Sequence, residues 1–161
     1  GGDGQLRNFI AYLAKALKTF RSPVMANPAI FIFDNDDAAK KVKSLVRQYS
    51  KRSGQDLEEK SWCHLGSNLY AVLIPMKPGE SKMVIENLFS EEVLKTPLSG
   101  KTLKLDGQLD DTKHFGKVAF ARSIVEKNAD HIDFSGFHPL LERVDSCISD
   151  FNSKLEMQVK D

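Results

Sequence analysis

The run Ala29-Ile30-Phe31-Ile32-Phe33, followed at once by Asp34-Asn35-Asp36-Asp37, constrains the fold more than any other stretch of this chain. Five apolar residues in a row are too few for a helix. Without polar alternation they suit a strand covered on both faces, as in a parallel sheet. Amphipathic patterns bracket the run. Leu6, Phe9, Ile10, Leu13, Leu17 and Phe20 recur at helical spacing over residues 3–20, with Asp3 as N-cap and Ser22-Pro23 as a stop. Beyond the aspartates, Val42, Leu45, Val46 and Tyr49 mark the inward face of a second helix, which ends before Ser53-Gly54.

Residues 61–65 and 69–74 read as two more strands, joined by the turn-forming Gly66-Ser67-Asn68. A loop over 75–81 leads to a short helical stretch at 84–94. Residues 96–113, rich in Gly, Asp, Lys and Thr, read as a mobile segment. Helices are expected over 115–127 and 135–155. The second carries Phe137, Leu140, Leu141, Val144, Ile148, Phe151 and Leu155 on one face. Its Pro139 falls in the first turn, where a missing N–H costs little. Helix and strand in alternation predict an α/β sandwich with a mainly parallel central sheet. Residues 29–33 would be its central strand, with helices on both sides.

Composition narrows the function classes. The chain has 161 residues, 41% hydrophobic and 28% charged, which suits one folded domain with a real core and not a disordered tail. Lys and Arg number 23 against 22 Asp and Glu, a net charge of +1, so a nucleic-acid or membrane partner would have to be met by a local patch. No apolar run approaches the ~20 residues of a membrane span, and the start lacks the basic-then-apolar pattern of a signal peptide. Cys63 and Cys147 are too few and too far apart for a zinc site or a disulfide scaffold. A reduced, cytoplasmic protein without membrane contact is the expectation.

Chemistry concentrates after the apolar run. Side chains alternate along a strand, so Asp34 and Asp36 project from the same side just past its C-terminal end. Open α/β sheets bind ligands at that end. Two such carboxylates repel unless a cation lies between them, and oxygen donors suit Mg²⁺ or Mn²⁺. Asp37 suits the N-cap of the next helix. The plainer alternative is that Asp and Asn merely end a strand and open a turn. A haloacid-dehalogenase-type phosphatase would want Thr two residues past the second Asp, where Ala38 stands. A response-regulator receiver has no need of the second Asp. A TOPRIM domain uses Asp-x-Asp as metal ligands behind a Gly-Gly turn and a helix, and that order is present from Gly1-Gly2 onward. Gly1-Gly2 is equally readable as a cloning remnant.

The segments SNLYAVLIPMKPGE, IENLFSEEVL, HFGKVAFARSIV and HIDFSGF follow in that order. Together with the Asp-Asn-Asp element, the chain resembles the C-terminal TOPRIM region of retron reverse transcriptases, from Gly1 to about Leu155. It is more loosely similar to TOPRIM nucleases of the overcoming-lysogenization-defect type. The resemblance implies a single, N-terminally truncated TOPRIM-like domain over 1–161, with a C-terminal helical segment at about 135–155. It implies a Mg²⁺- or Mn²⁺-dependent phosphodiesterase acting on RNA or DNA. Asp34 and Asp36 would hold the metal, Glu86 would be a further ligand, and Lys117 would balance charge on the scissile phosphate. The partners would be the reverse transcriptase domain of the parent and its hybrid RNA–DNA product, in antiphage defence. The family's catalytic Glu stands upstream of the Gly-Gly turn, so the chain from Gly1 on is expected to be nearly inactive alone.

The competing class is a non-catalytic appendage that binds nucleic acid or packs against the polymerase. Lys40, Lys43, Arg47 and Lys51 form a stripe on the second helix that could track a phosphate backbone, although a solvated face explains it more plainly. His114, beside Lys117, is a candidate substrate contact. His64, His131 and His138 have no partner at metal-ligand spacing. Trp62 and Cys63 suit core packing.

Overall fold

In the computed structural model of the chain, residues 2–19, 25–37, 40–53 and 61–159 are described. Gly1, Phe20, Ser22, Pro23, Ala38 and Gly54 lie outside them, as do the side chains of Asp3, Val42 and Lys51. The elements run α1 (Gly2–Thr19), β1 (Ala29–Phe33), α2 (Lys40–Ser53), β2 (Trp62–Gly66), β3 (Leu69–Leu73) and a 3₁₀ turn (Ile85–Leu88). After these come α3 (Glu91–Leu94), β4 (Thr102–Leu103), β5 (His114–Phe115), α4 (Lys117–Ala119), a π-helical turn (Phe120–Val125), two 3₁₀ turns (Glu126–His131 and Ser135–Phe137) and α5 (His138–Val159). The protein is thus a mixed α/β fold. It divides into two compact units, residues 1–83 with 139–161, and residues 84–138.

The first unit is built on a three-stranded sheet of order β1-β3-β2. β1 pairs parallel to β3 from Ala29↔Leu69 to Phe33↔Leu73, while β2 pairs antiparallel to β3. Two expectations are corrected here. The sheet is mixed instead of mainly parallel, because the short turn between β2 and β3 permits only a hairpin; a parallel crossover needs a dozen or more residues. Gly66 carries the turn at φ 115°, a conformation L side chains rarely adopt. Residues 29–33 are also not the central strand. That place belongs to β3, whose five residues are all buried, whereas Ile32 on β1 is 41% exposed.

The alternation of side chains sorts the layers of this unit. Phe33 of β1, Cys63 and Leu65 of β2, and Leu69, Ala71 and Leu73 of β3 pack with Ile10 of α1 and Leu45 and Val46 of α2. Covering each large side chain fully is worth ~1.5–3 kcal/mol. The opposite face carries Tyr70, which is wholly buried, and meets α5. The Tyr70 hydroxyl donates to Asp150 Oδ2 at 2.7 Å, and Lys154 pairs with the same carboxylate. Burial, reinforced by the Asp150 charge, pushes the Tyr70 phenol well above its ordinary range. Burial alone would raise Asp150, but hydrogen bonds from Lys154 and Tyr70 outweigh it and hold the carboxyl low.

The second unit relies on aromatic packing. Phe89, Phe115, Phe120 and Ile124 form its core. Phe89 is the hub, with edge-to-face contacts to Phe120, Phe134 and Phe137 at ring separations of 5.4, 5.7 and 4.8 Å. Gly136 lets two backbones meet: a Cβ there would lie 2.1 Å from the Leu88 carbonyl oxygen. The helix expected over 115–127 is present but irregular, passing from α4 through a π turn into 3₁₀ geometry, with Asn128 at φ −120°, ψ 19°. The segment read as mobile contains β4, which pairs parallel to β5. Among the described residues, no helix is long and apolar enough to cross a membrane.

Candidate functional site

β1 ends at Phe33, yet its extension is locked for two residues more. The Ile74 N–H donates to the Phe33 carbonyl at 2.9 Å, and Asn35 and Met83 exchange backbone hydrogen bonds at 2.7 and 2.9 Å. This clamp holds Asp34 and Asp36, both half-buried, on either side of Asn35. The Asn35 amide is itself engaged: Nδ2 donates to the Ile74 carbonyl at 3.3 Å, and Oδ1 accepts from Lys43 Nζ at 2.7 Å. The middle residue of the motif, not singled out in the sequence reading, thus connects β1 to α2.

Asp37, expected as a helix cap, is exposed and paired with Lys40 at 2.9 Å and with Lys82. Hydrogen bonds from Lys82 and Lys40 hold its carboxyl at about 2. Among the described residues, no group of three or more His, Cys, Asp or Glu is placed to hold a metal ion. Asp34 and Asp36 are two carboxylates two positions apart at the end of β1. Such a pair suits Mg²⁺, which takes one or two carboxylates and completes its shell with water and phosphate oxygens.

Glu86 and Lys117 meet within the second unit. Lys117 stands at the start of α4, directly after Gly116, and Glu86 in the 3₁₀ turn at Ile85–Leu88. Lys117 Nζ lies 2.9 Å from Glu86 Oε2, at angles outside those of a hydrogen bond, so the ion pair and not an aligned donor compensates that buried oxygen. Glu86 is 8% exposed. Asp34 and Asp36 belong to the first unit, whereas Glu86, Lys117 and His114 belong to the second. His114 Nδ1 is hydrogen-bonded to Thr102 Oγ1 at 2.9 Å, across the β4–β5 pair.

The basic stripe on α2 divides. Lys40 is exposed and paired with Asp37, Lys43 turns onto Asn35, and Arg47 is exposed. Lys51 lies on the helix with its side chain outside the described residues. Of the residues expected in the core, Cys63 is fully buried and Trp62 half-buried, its ring 6.2 Å from that of Tyr70. His131 and His138 are exposed. His64 Nε2 lies 2.8 Å from the Ser67 carbonyl, which can only accept, so Nε2 carries the proton. Burial lowers the pKa of this imidazole.

One basic residue of the first unit gave no signal in the sequence. Arg143 of α5 donates from Nη1 to the Leu73 carbonyl at 2.6 Å, at the end of β3. It lies off the apolar stripe of its helix, where a charged residue is unremarked. No family model matches this chain, and no solved structure matches it.

Proposed function

We propose that the chain is a metal-dependent phosphodiesterase module acting on a nucleic-acid backbone, the nuclease part of a retron-type reverse transcriptase. The observation that carries this reading is the pair Asp34 and Asp36 at the carboxyl end of a strand in parallel pairing, with the backbone between them clamped to Met83. On this reading the β1–β3 pair belongs to a TOPRIM-like, Rossmann-like sandwich. Mg²⁺ held there would supply a Lewis acid for the phosphate and orient a water. The two carboxylates would bind the ion and set its position. The resemblance assigns Lys117 to charge developing on the phosphate; in the second unit it pairs with Glu86.

The test uses the full-length parent, with single-stranded DNA and RNA as substrates and Mg²⁺ or EDTA present. Cutting should need Mg²⁺, and the double change Asp34→Ala, Asp36→Ala should abolish it while reverse transcription continues. Mn²⁺ added to the chain should broaden the amide resonances of residues 34–36, and those of the double variant far less. Cutting that survives the double change overturns the proposal. A second reading, a non-catalytic nucleic-acid-binding or structural appendage of the reverse transcriptase, is favoured by one observation. Glu86 is occupied by Lys117 instead of being open to a metal.

A further inference from the structure

At the carboxyl end of the parallel pair lies a cavity of about 360 Å³, lined by Asn35, Lys43, Ser61, Leu73, Met76 and Arg143. Its two cations arrive from opposite layers, Lys43 from α2 and Arg143 from α5. Each is fixed by a neutral acceptor: Lys43 by Asn35 Oδ1, Arg143 by the Leu73 carbonyl. Among the described residues, neither has a carboxylate in ion-pair contact. Most of their N–H donors therefore remain for a ligand.

Two cations sharing one cavity repel each other, and partial burial adds to that cost by pulling the Arg143 pKa down. An anion between them removes both penalties. Ser61 is held beside them at φ 61°, a left-handed conformation unusual for a residue with a side chain. Its carbonyl accepts from the Leu73 N–H at 2.9 Å, which fixes it to the strand end. Leu73 and Met76 supply apolar wall.

We propose that this cavity is a phosphate-binding site, in which Lys43 and Arg143 hold the anion and the Ser61 hydroxyl donates to it. The planar guanidinium suits two phosphate oxygens at once, and the ammonium acts as a point charge. Asn35 is a positioning residue that aims Lys43. Ligand pockets run from roughly 300 to 1,000 Å³, so this volume takes a phosphate with one small attached group, such as a sugar. The site does not require Asp34 and Asp36 to hold a metal. The phosphate could come from a free monoester or from a diester in a strand.

The test is a titration of the chain with inorganic phosphate, thymidine 5′-monophosphate and a thymidine dinucleotide in metal-free buffer, followed by amide shifts at Asn35, Lys43 and Ser61. Saturable shifts that weaken with added salt are expected. Lys43→Gln, which keeps a donor for Asn35, should weaken binding about tenfold, the worth of one charge-assisted hydrogen bond. Arg143→Lys keeps the charge and one donor to Leu73, and should weaken it several-fold with the thermal midpoint nearly unchanged. Asp34→Ala should leave phosphate affinity the same or tighter, so failure of the nuclease reading and failure of this site are read separately. Tighter binding of the dinucleotide supports the site as a seat for a diester; equal affinity for all three supports a site for the phosphate group alone. Unsaturable shifts, or equal affinity in Lys43→Gln, overturn the proposal.

Discussion

The unit of residues 1–83 and 139–161 buries its apolar side chains through regular elements, whereas the unit of 84–138 does so through a handful of aromatic rings. In the first, a sheet lies between α1 and α2 on one face and α5 on the other, and each wall repeats at helical or strand period. In the second, strands are two residues long and helices break between α, π and 3₁₀ geometry. Phe89 and its three neighbouring rings replace a wall. The difference teaches where stability concentrates. A periodic core spreads its burial over many residues; a hub core places much of it on one.

The largest effect is therefore expected at the hub. Phe89→Ala should cost about 3–5 kcal/mol, and should strip amide protection from residues 84–138 in hydrogen exchange. Equal loss of protection in both units would break the distinction drawn here. Next comes Gly136→Ala, whose Cβ would meet the Leu88 carbonyl oxygen at 2.1 Å. Overpacking of this kind costs about 1–3 kcal/mol, and a denaturant titration should place the variant at the upper end because the obstacle is backbone. An unchanged midpoint would show that the turn at 135–137 moves freely, and the close approach would then lose its meaning.

In the first unit, Tyr70→Phe should cost about 1.5–3 kcal/mol by removing a buried hydrogen bond to a charged carboxylate. Asp150 keeps Lys154, so the Asp150 pKa should rise only part of the way, read by carboxyl carbon shifts. The smallest effect concerns pH. His64 has a folded pKa below its ordinary 6.5 because burial penalises the imidazolium. The unfolded chain therefore takes up the proton first, and stability falls as pH drops below about 6.5 toward the folded pKa. His64→Gln, which preserves a donor for Ser67, should flatten that slope in melts between pH 7 and 5. A slope unchanged by the substitution would assign it to other groups.

Legibility followed the same division. Leu6, Ile10, Leu13 and Leu17 announced α1, and Leu140, Val144, Phe151 and Leu155 announced α5, because each period is long enough to be unambiguous. Phe137, expected on the same face, instead ends a 3₁₀ turn and packs on Phe89 in the second unit. Ala29 to Phe33 announced a strand but not its place in the sheet. Continuous apolar residues show that a strand is largely covered, and they do not say which neighbour covers it. In the second unit, the pattern over 115–127 contained the right helical period, but the change of ladder at Phe120 has no signature in residue type.

The site divides likewise. Asp34 and Asp36 stood out from their strand-end spacing, and Glu86 and Lys117 from the resemblance. Nothing in the spacing joined Glu86 to Lys117, which are 31 positions apart and meet at 2.9 Å. Arg143 was silent for the same reason, since its role depends on reaching a carbonyl 70 residues away.

By itself the amino-acid sequence determined the α/β character, the long helices, the strand at Ala29–Phe33 and the acidic turn after it, because these rest on local period and turn chemistry. Only the tertiary structure decided that β3 is the middle strand, that Lys117 faces Glu86, and that Lys43 and Arg143 share one cavity. Pairing order and charge partnership are set by which surfaces meet, and surfaces distant in sequence meet only once the layers close.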